Sequence, residues 1–207
     1  MIVGLRPAAG KSTRMGQPKL LLPLGGQTVI EHTLRAMKVA GVNHVLVVVG
    51  PHVADLGRVV ENADAHALVL GAETAEMRST IERGLGWIEE RFRPAAHDLI
   101  VLTPGDQPLI GPNVLGSLFA ALSEKPDRSI TVPTFEGKRG HPLVFQWTHA
   151  APIRALPAGA GVNKYLRDQT GVLLEVPVAS VDILSDLDTP EEYAELTRRW
   201  ESLRRSE

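Results

Sequence analysis

The chain has 207 residues, 43 % of them apolar and 22 % charged, with a formal net charge of −2 and no cysteine. Without cysteine there is no disulfide framework, no thiolate metal site and no cysteine nucleophile; the balanced charge offers no basic surface for a sequence-independent grip on nucleic acid. No apolar run reaches the ~18 residues that span a bilayer, and the N-terminal stretch turns polar too early for a secretory signal, so one cytoplasmic domain over residues 1–207 is expected.

Short apolar runs stand at 2–5, 45–49, 67–70, 99–102, 130–132, 143–145 and 172–176. The run Val45 to Val49 has no polar alternation, which marks a strand covered on both faces in a parallel sheet. Between the runs the period is helical. From Thr28, Ile30, Leu34 and Met37 share one stripe, Thr28 and Glu31 have capping-box spacing, and Gly41 suits the end. Residues 77–87 and 112–122 read as helices, the second opened by Pro112. A last helix starts after Thr189, with Tyr193, Leu196, Trp200 and Leu203 on one face. Strand alternating with helix predicts an α/β fold: a Rossmann-like three-layer α/β/α sandwich with a mostly parallel sheet. Residues 135–145, with Gly137 and Gly140 between strand-like pieces, predict an antiparallel hairpin late in the chain. Residues 155–161 are the best loop candidate, and His32, His44, His52, His66, His97 and His149 read as surface or turn residues.

The segment after the first strand holds Gly10, Ser12, Gly16 and the cations Lys11, Arg14 and Lys19. Glycine lets a backbone approach a ligand closely, successive free amides cradle phosphate oxygens, and the cations neutralise them. Gly10-Lys11-Ser12 is not a Walker loop. That motif needs glycine at position 5, where Leu5 stands, and a helix directly after the serine, where Gly16 and Pro18 follow.

Asp106 lies just past the run at 99–102, at the strand end where open α/β sheets bind ligands. A carboxylate there suits Mg²⁺, which takes one or two protein carboxylates plus phosphate oxygens. Thr189 and Glu192 supply their own helix cap, which leaves Asp186 and Asp188 free for other work.

Ala8-Ala9-Gly10, Arg14-Met15-Gly16, Lys19 and Leu21-Leu22-Pro23-Leu24 resemble the nucleotidyltransferase signature LAAGxxxRMGxxKxLLPL. With Gly105-Asp106-Gln107-Pro108, Arg139-Gly140-His141-Pro142 and Asp186-Leu187-Asp188-Thr189-Pro190, the chain is most similar to the molybdenum cofactor cytidylyltransferases and related MobA-like NTP transferases. The resemblance implies transfer of CMP from CTP (or a nucleotide from GTP) to a phosphorylated acceptor, molybdopterin, with loss of pyrophosphate. A molybdoenzyme or its chaperone is then a candidate partner. It implies that Pro7, Ala8, Ala9, Gly10, Lys11, Ser12, Arg14, Lys19, Ser79 and Thr80 contact the nucleotide, and that Arg139, Gly140 and His141 line the acceptor pocket. Asp106 with Asp186 or Asp188 would hold Mg²⁺, Asp186 being first by position. Lys19, Arg14 and Asp106 would carry the chemistry. Ala-Ala-Gly in place of Ala-Gly-Gly goes with CTP; Pro7, Glu76 and Arg78 depart from the family pattern. Transfer to a sugar or polyol phosphate, and a non-catalytic cofactor chaperone, are the alternatives.

Overall fold

A computed structural model describes residues 1–204. The first strand, β1 (Ile2–Ala8), runs three residues beyond its apolar stretch. The small antiparallel pair β2 (Pro23–Leu24) and β3 (Gln27–Thr28) leads into helix α1 (Val29–Val39). Both halves of the expected capping box form there: the Glu31 amide donates to Thr28 Oγ1, and the Thr28 amide donates to Glu31 Oε2 at 2.6 Å. Gly41 follows at φ 85°, the left-handed turn that lets the chain leave the helix. Next come β4 (His44–Val49), α2 (Ala54–Asn62), β5 (His66–Val69) and α3 (Met77–Phe92), which outruns its predicted end by five residues. After β6 (Leu99–Leu102) and α4 (Pro112–Glu124), β7 (Ile130–Phe135) turns through Glu136 and Gly137, both at positive φ, into β8 (Lys138–Arg139). Such a pair of central residues is the turn that suits a two-residue hairpin. The chain ends with β9 (Leu143–Gln146), α5 (Ala150–Arg154), α6 (Val162–Arg167), β10 (Leu173–Pro177) and α7 (Pro190–Arg204).

The sheet order is β10-β7-β9-β6-β1-β4-β5, with β8 paired to β7. All neighbours are parallel except β9, which runs antiparallel between β6 and β7, and β8. The predicted late hairpin is therefore present, and its return strand is driven into the middle of the sheet. Val45, Val47 and Val49 pack on one face with α1, α2, α4 and Leu196 of α7; Leu46 and Val48 pack on the other with α3, α5 and α6. Two cores on opposite sides of one sheet make the three layers expected.

Three details correct the sequence reading. His32 is buried, its Nε2 on the Leu24 carbonyl and its ring 4.1 Å from that of Trp200. His149 is buried between Ser129 and Tyr165, bonded to both at 2.7 Å. Leu203 is exposed, because the apolar stripe of α7 ends its packing at Trp200. No helix among the described residues is long and apolar enough to cross a membrane.

Candidate active site

Strand β1 releases its loop at the C-terminal edge of the sheet. Ser12 (φ 51°) and Gly16 (φ 72°) bend it, and the amides of Met15 and Gly16 donate back to the Ser12 carbonyl at 3.0 and 3.1 Å. The bend brings the Lys19 amide to Ser12 Oγ at 3.4 Å and directs the Lys19 side chain inward. Lys19 Nζ donates to Asp106 Oδ2 at 2.5 Å and to Asp188 Oδ1 at 2.7 Å. The other oxygen of Asp188 accepts from Arg14 Nη2 at 2.6 Å. Four of the sequence candidates, from three distant segments, thus meet in one chain of contacts.

These pairs differ in weight. Arg14 is 69 % exposed, and a solvated ion pair contributes at most ~1 kcal/mol. Lys19 and Asp106 are 18 % and 12 % exposed, so their charges are largely out of water and depend on each other. Burial pulls the Lys19 ammonium down, but Asp106 and then Asp188 outweigh it and hold its pKa above the ordinary lysine value. The hydrogen bond from Lys19 holds the Asp188 carboxyl below its usual range against burial, with Arg14 helping. Asp106 Oδ1 is buried and has no hydrogen-bond partner among the described residues. An unsatisfied carboxylate oxygen is costly to keep dry.

Asp186 faces differently. Its Oδ1 accepts from Gln107 Nε2 at 2.9 Å, and burial followed by repulsion from Asp106 pushes its carboxyl up, only partly offset by that bond. His141 lies nearby with a buried Nδ1 that has no partner among the described residues; burial lowers its pKa although Asp186 and Asp106 pull the other way. Gly140 presses against the carbonyl of Ile183, which also accepts the His141 amide at 2.9 Å, so the two loops are tied together.

Three clefts open around these groups: one of about 280 Å³ between Asp106, Asp186 and Arg199, and an inner and an outer one that share a wall. The inner one, about 90 Å³, is lined by Pro7, Ala8, Gly10, Ser12, Lys19 and Asp106. The outer one, about 760 Å³, is lined by Arg78, Gln107, Arg139, Gly140, His141 and Asp186. Pro7, Met77 and Pro104 wall both. Other candidates stand apart: Lys11 pairs with Glu73 at 2.8 Å on the surface, and the Thr80 hydroxyl is buried against that of Thr74 at 2.7 Å. Ser79 faces a separate groove between β5 and α3, and Arg139 is paired with Glu175. Ala9 precedes Gly10 at the rim, its carbonyl close to Gly50.

Two residues here escaped the sequence reading. Gln107, buried beside Thr103, orients Asp186. Arg6 lies wholly inside the protein under the Asp106 turn. The signal for Arg6 was an arginine between apolar neighbours of a central strand.

No three His, Asp or Glu side chains gather into a ready metal cage among the described residues. The orphan Oδ1 of Asp106 instead fits an ion held by one or two carboxylates that completes its shell on phosphate oxygens.

Residues 7–172 match the family model described as "MobA-like NTP transferase domain". The chain is 31 % identical over 204 residues to the "Purine catabolism protein PucB" of Bacillus subtilis (strain 168), covering 96 % of both chains. It is 32 % identical over 131 residues to a "Probable molybdenum cofactor guanylyltransferase" of Carboxydothermus hydrogenoformans, covering 63 % of this chain and 58 % of that one. Among solved structures, Rv0371c of Mycobacterium tuberculosis H37Rv superposes with a TM-score of 0.80 at 28 % identity, covering 96 % of this chain and 98 % of that one. A second structure of Rv0371c is a complex with manganese and superposes with a TM-score of 0.76 at 26 % identity, covering 95 % of this chain and 98 % of that one.

Proposed function

The chain belongs to the MobA-like NTP transferase family, and on that premise we propose that it transfers CMP from CTP to the phosphate of a small acceptor, molybdopterin. A phosphate oxygen of the acceptor bonds to the α-phosphorus while the bond from that phosphorus to the bridging oxygen breaks, and pyrophosphate leaves. The acceptor is already an anion at neutral pH, so the reaction needs positioning and charge neutralisation more than a side-chain base.

One observation carries this reading: Lys19 stands between two carboxylates at the mouth of the glycine loop, one of which keeps a buried oxygen free. A triphosphate over that loop would draw Lys19 to its α-phosphate and Lys11 and Arg14 to the departing pyrophosphate. The backbone from Pro7 to Gly10, with Ser12, lines the nucleotide end. The small inner cleft beside Ala8 favours a pyrimidine, in keeping with Ala-Ala-Gly. Ser79 and Thr80 are proposed to contact the nucleotide only indirectly, through the first turn of α3. Arg139, Gly140 and His141 line the larger cleft and receive the acceptor.

Asp106 and Asp186 would hold Mg²⁺; their mutual repulsion is what such an ion relieves. Asp188 remains with Lys19 and Arg14 and positions them. When bound, the ion supplies charge neutralisation at the phosphates. Manganese in the complex of the similar mycobacterial protein supports a divalent ion here.

A pyrophosphate-release panel tests this, with CTP and GTP each offered molybdopterin, a sugar 1-phosphate and a polyol phosphate. CTP with molybdopterin should give the fastest release. Turnover with a sugar 1-phosphate alone would reject the acceptor, and preference for GTP would reject the base. An Asp106→Ala protein that fully replaces the native one in cells would point to a chaperone instead of an enzyme.

A further inference from the structure

Arg6 sits in the central strand between Leu5 and Pro7. It pairs in register with Val47 of β4, and Gly4 on the same face of β1 packs against Met37 of α1. Its side chain is 4 % exposed. A guanidinium carries five donors and no acceptor, and it keeps its charge when buried. Here Nη1 donates to the Pro104 carbonyl at 2.7 Å and Nη2 to the Thr33 carbonyl at 3.3 Å, while Nε has no partner among the described residues. Among the described residues no carboxylate forms an ion pair with it; Asp106 acts on it through space.

This is an expensive way to fill a core. A buried cation with neutral acceptors and an idle Nε is less favourable than an apolar side chain of the same volume. Its two bonds have a geometric logic, however. One ends on Pro104, two residues before Asp106, and the other on α1, so the guanidinium rivets the Asp106 turn to a helix. It also keeps a fixed positive charge beneath Asp106. Lys19 neutralises that carboxylate in the structure, and Lys19 is the group that must leave it for a phosphate.

We propose that Arg6 is a positioning residue for the reaction, clamping the Pro104–Asp106 turn through the Pro104 carbonyl and holding positive charge under Asp106 when Lys19 moves away. The proposal rests on the reading of Asp106 as a working residue of the site.

The test compares wild type with Arg6→Met and Arg6→Lys by thermal melting, amide order parameters at Gly105, Asp106 and Gln107, and steady-state turnover with CTP. Arg6→Met should melt at or above the wild-type temperature, since the methionine fills the volume without a charge. The three order parameters should fall from about 0.85, the value of rigid backbone, toward 0.6. Turnover should drop about ten- to a hundredfold in kcat, the loss expected for a hydrogen bond to a charged group, with KM for CTP little changed. Arg6→Lys, which restores charge and one donor, should recover part of kcat. Melting of Arg6→Met far below wild type would make the arginine a core support and overturn the proposal. Unchanged order parameters would overturn it equally. If wild-type protein turns over no nucleoside triphosphate, the functional reading fails, and the order parameters still decide whether Arg6 clamps the turn.

Discussion

Lys19 is shared by two carboxylates, and its two bonds give it a different standing from Lys11 and Arg14. On the proposed reading Lys19 moves to the α-phosphate when the triphosphate binds and its contact strengthens as charge develops there, so Lys19→Ala should cut kcat by about a hundredfold or more while weakening nucleotide binding far less. Turnover set against calorimetric binding checks this, and equal losses would show that its contact is not concentrated in the transition state. Arg14→Ala should leave the melting temperature almost unchanged, as its pair with Asp188 is solvated. Asp186 gives an opposite sign. A carboxyl held above its ordinary pKa favours the protonated form in the fold, so its ionisation costs stability as pH rises through that window. Asp186→Asn should therefore melt higher than wild type at neutral pH and lower activity, and a lower melting temperature would refute that assignment. At this scale the sequence announces residues whose type is unusual for a loop: glycines and cations after a strand, a lone carboxylate past another. It hides Arg6 and Gln107, because a charged or polar group inside a core is defined by partners that are distant in the chain.

Elements written by local chemistry were legible, and those written by packing were not. The α1 and α7 caps follow from Thr28 with Glu31 and Thr189 with Glu192. Helix α2 has no side-chain cap and starts from Val53, so nothing in its sequence marks the beginning. The Glu31 carboxyl is held below its usual range by the Thr28 hydroxyl and amide. That stabilisation is present at neutral pH and is lost as pH falls through the lowered value. Thr28→Ala should cost about 1 kcal/mol at neutral pH, and its melting temperature should approach that of wild type on acidification. The hairpin of β7 and β8 was readable from Gly137, but the insertion of β9 between β6 and β7 was not; strand order is fixed by long-range pairing. Gly140 is the junction. A Cβ there has no room against the Ile183 backbone, so Gly140→Ala should lower stability and raise KM for the acceptor more than for CTP.

On the scale of the molecule, the site lies where the sheet changes direction. From β1 the chain crosses by way of α1 to β4 on one side, and later returns by way of α3 to β6 on the other. Loops leaving β1 and β6 therefore part, and the gap between them is the crevice in which such sheets bind ligands. Lys19 comes from one lip and Asp106 from the other. The third participant, Asp188, is delivered by the start of α7, which is anchored by Tyr193 on the Pro23 carbonyl and Trp200 beside His32. The most direct measurement is a crystal of the protein with manganese and a non-hydrolysable CTP analogue, with manganese located by its anomalous scattering. The metal should bind Asp106 through its free Oδ1, with the triphosphate along residues 10–19 and Lys19 moved from Asp106 to the α-phosphate. A triphosphate bound away from that loop, or manganese without contact to Asp106 while the Lys19–Asp106 pair stays closed, would contradict it.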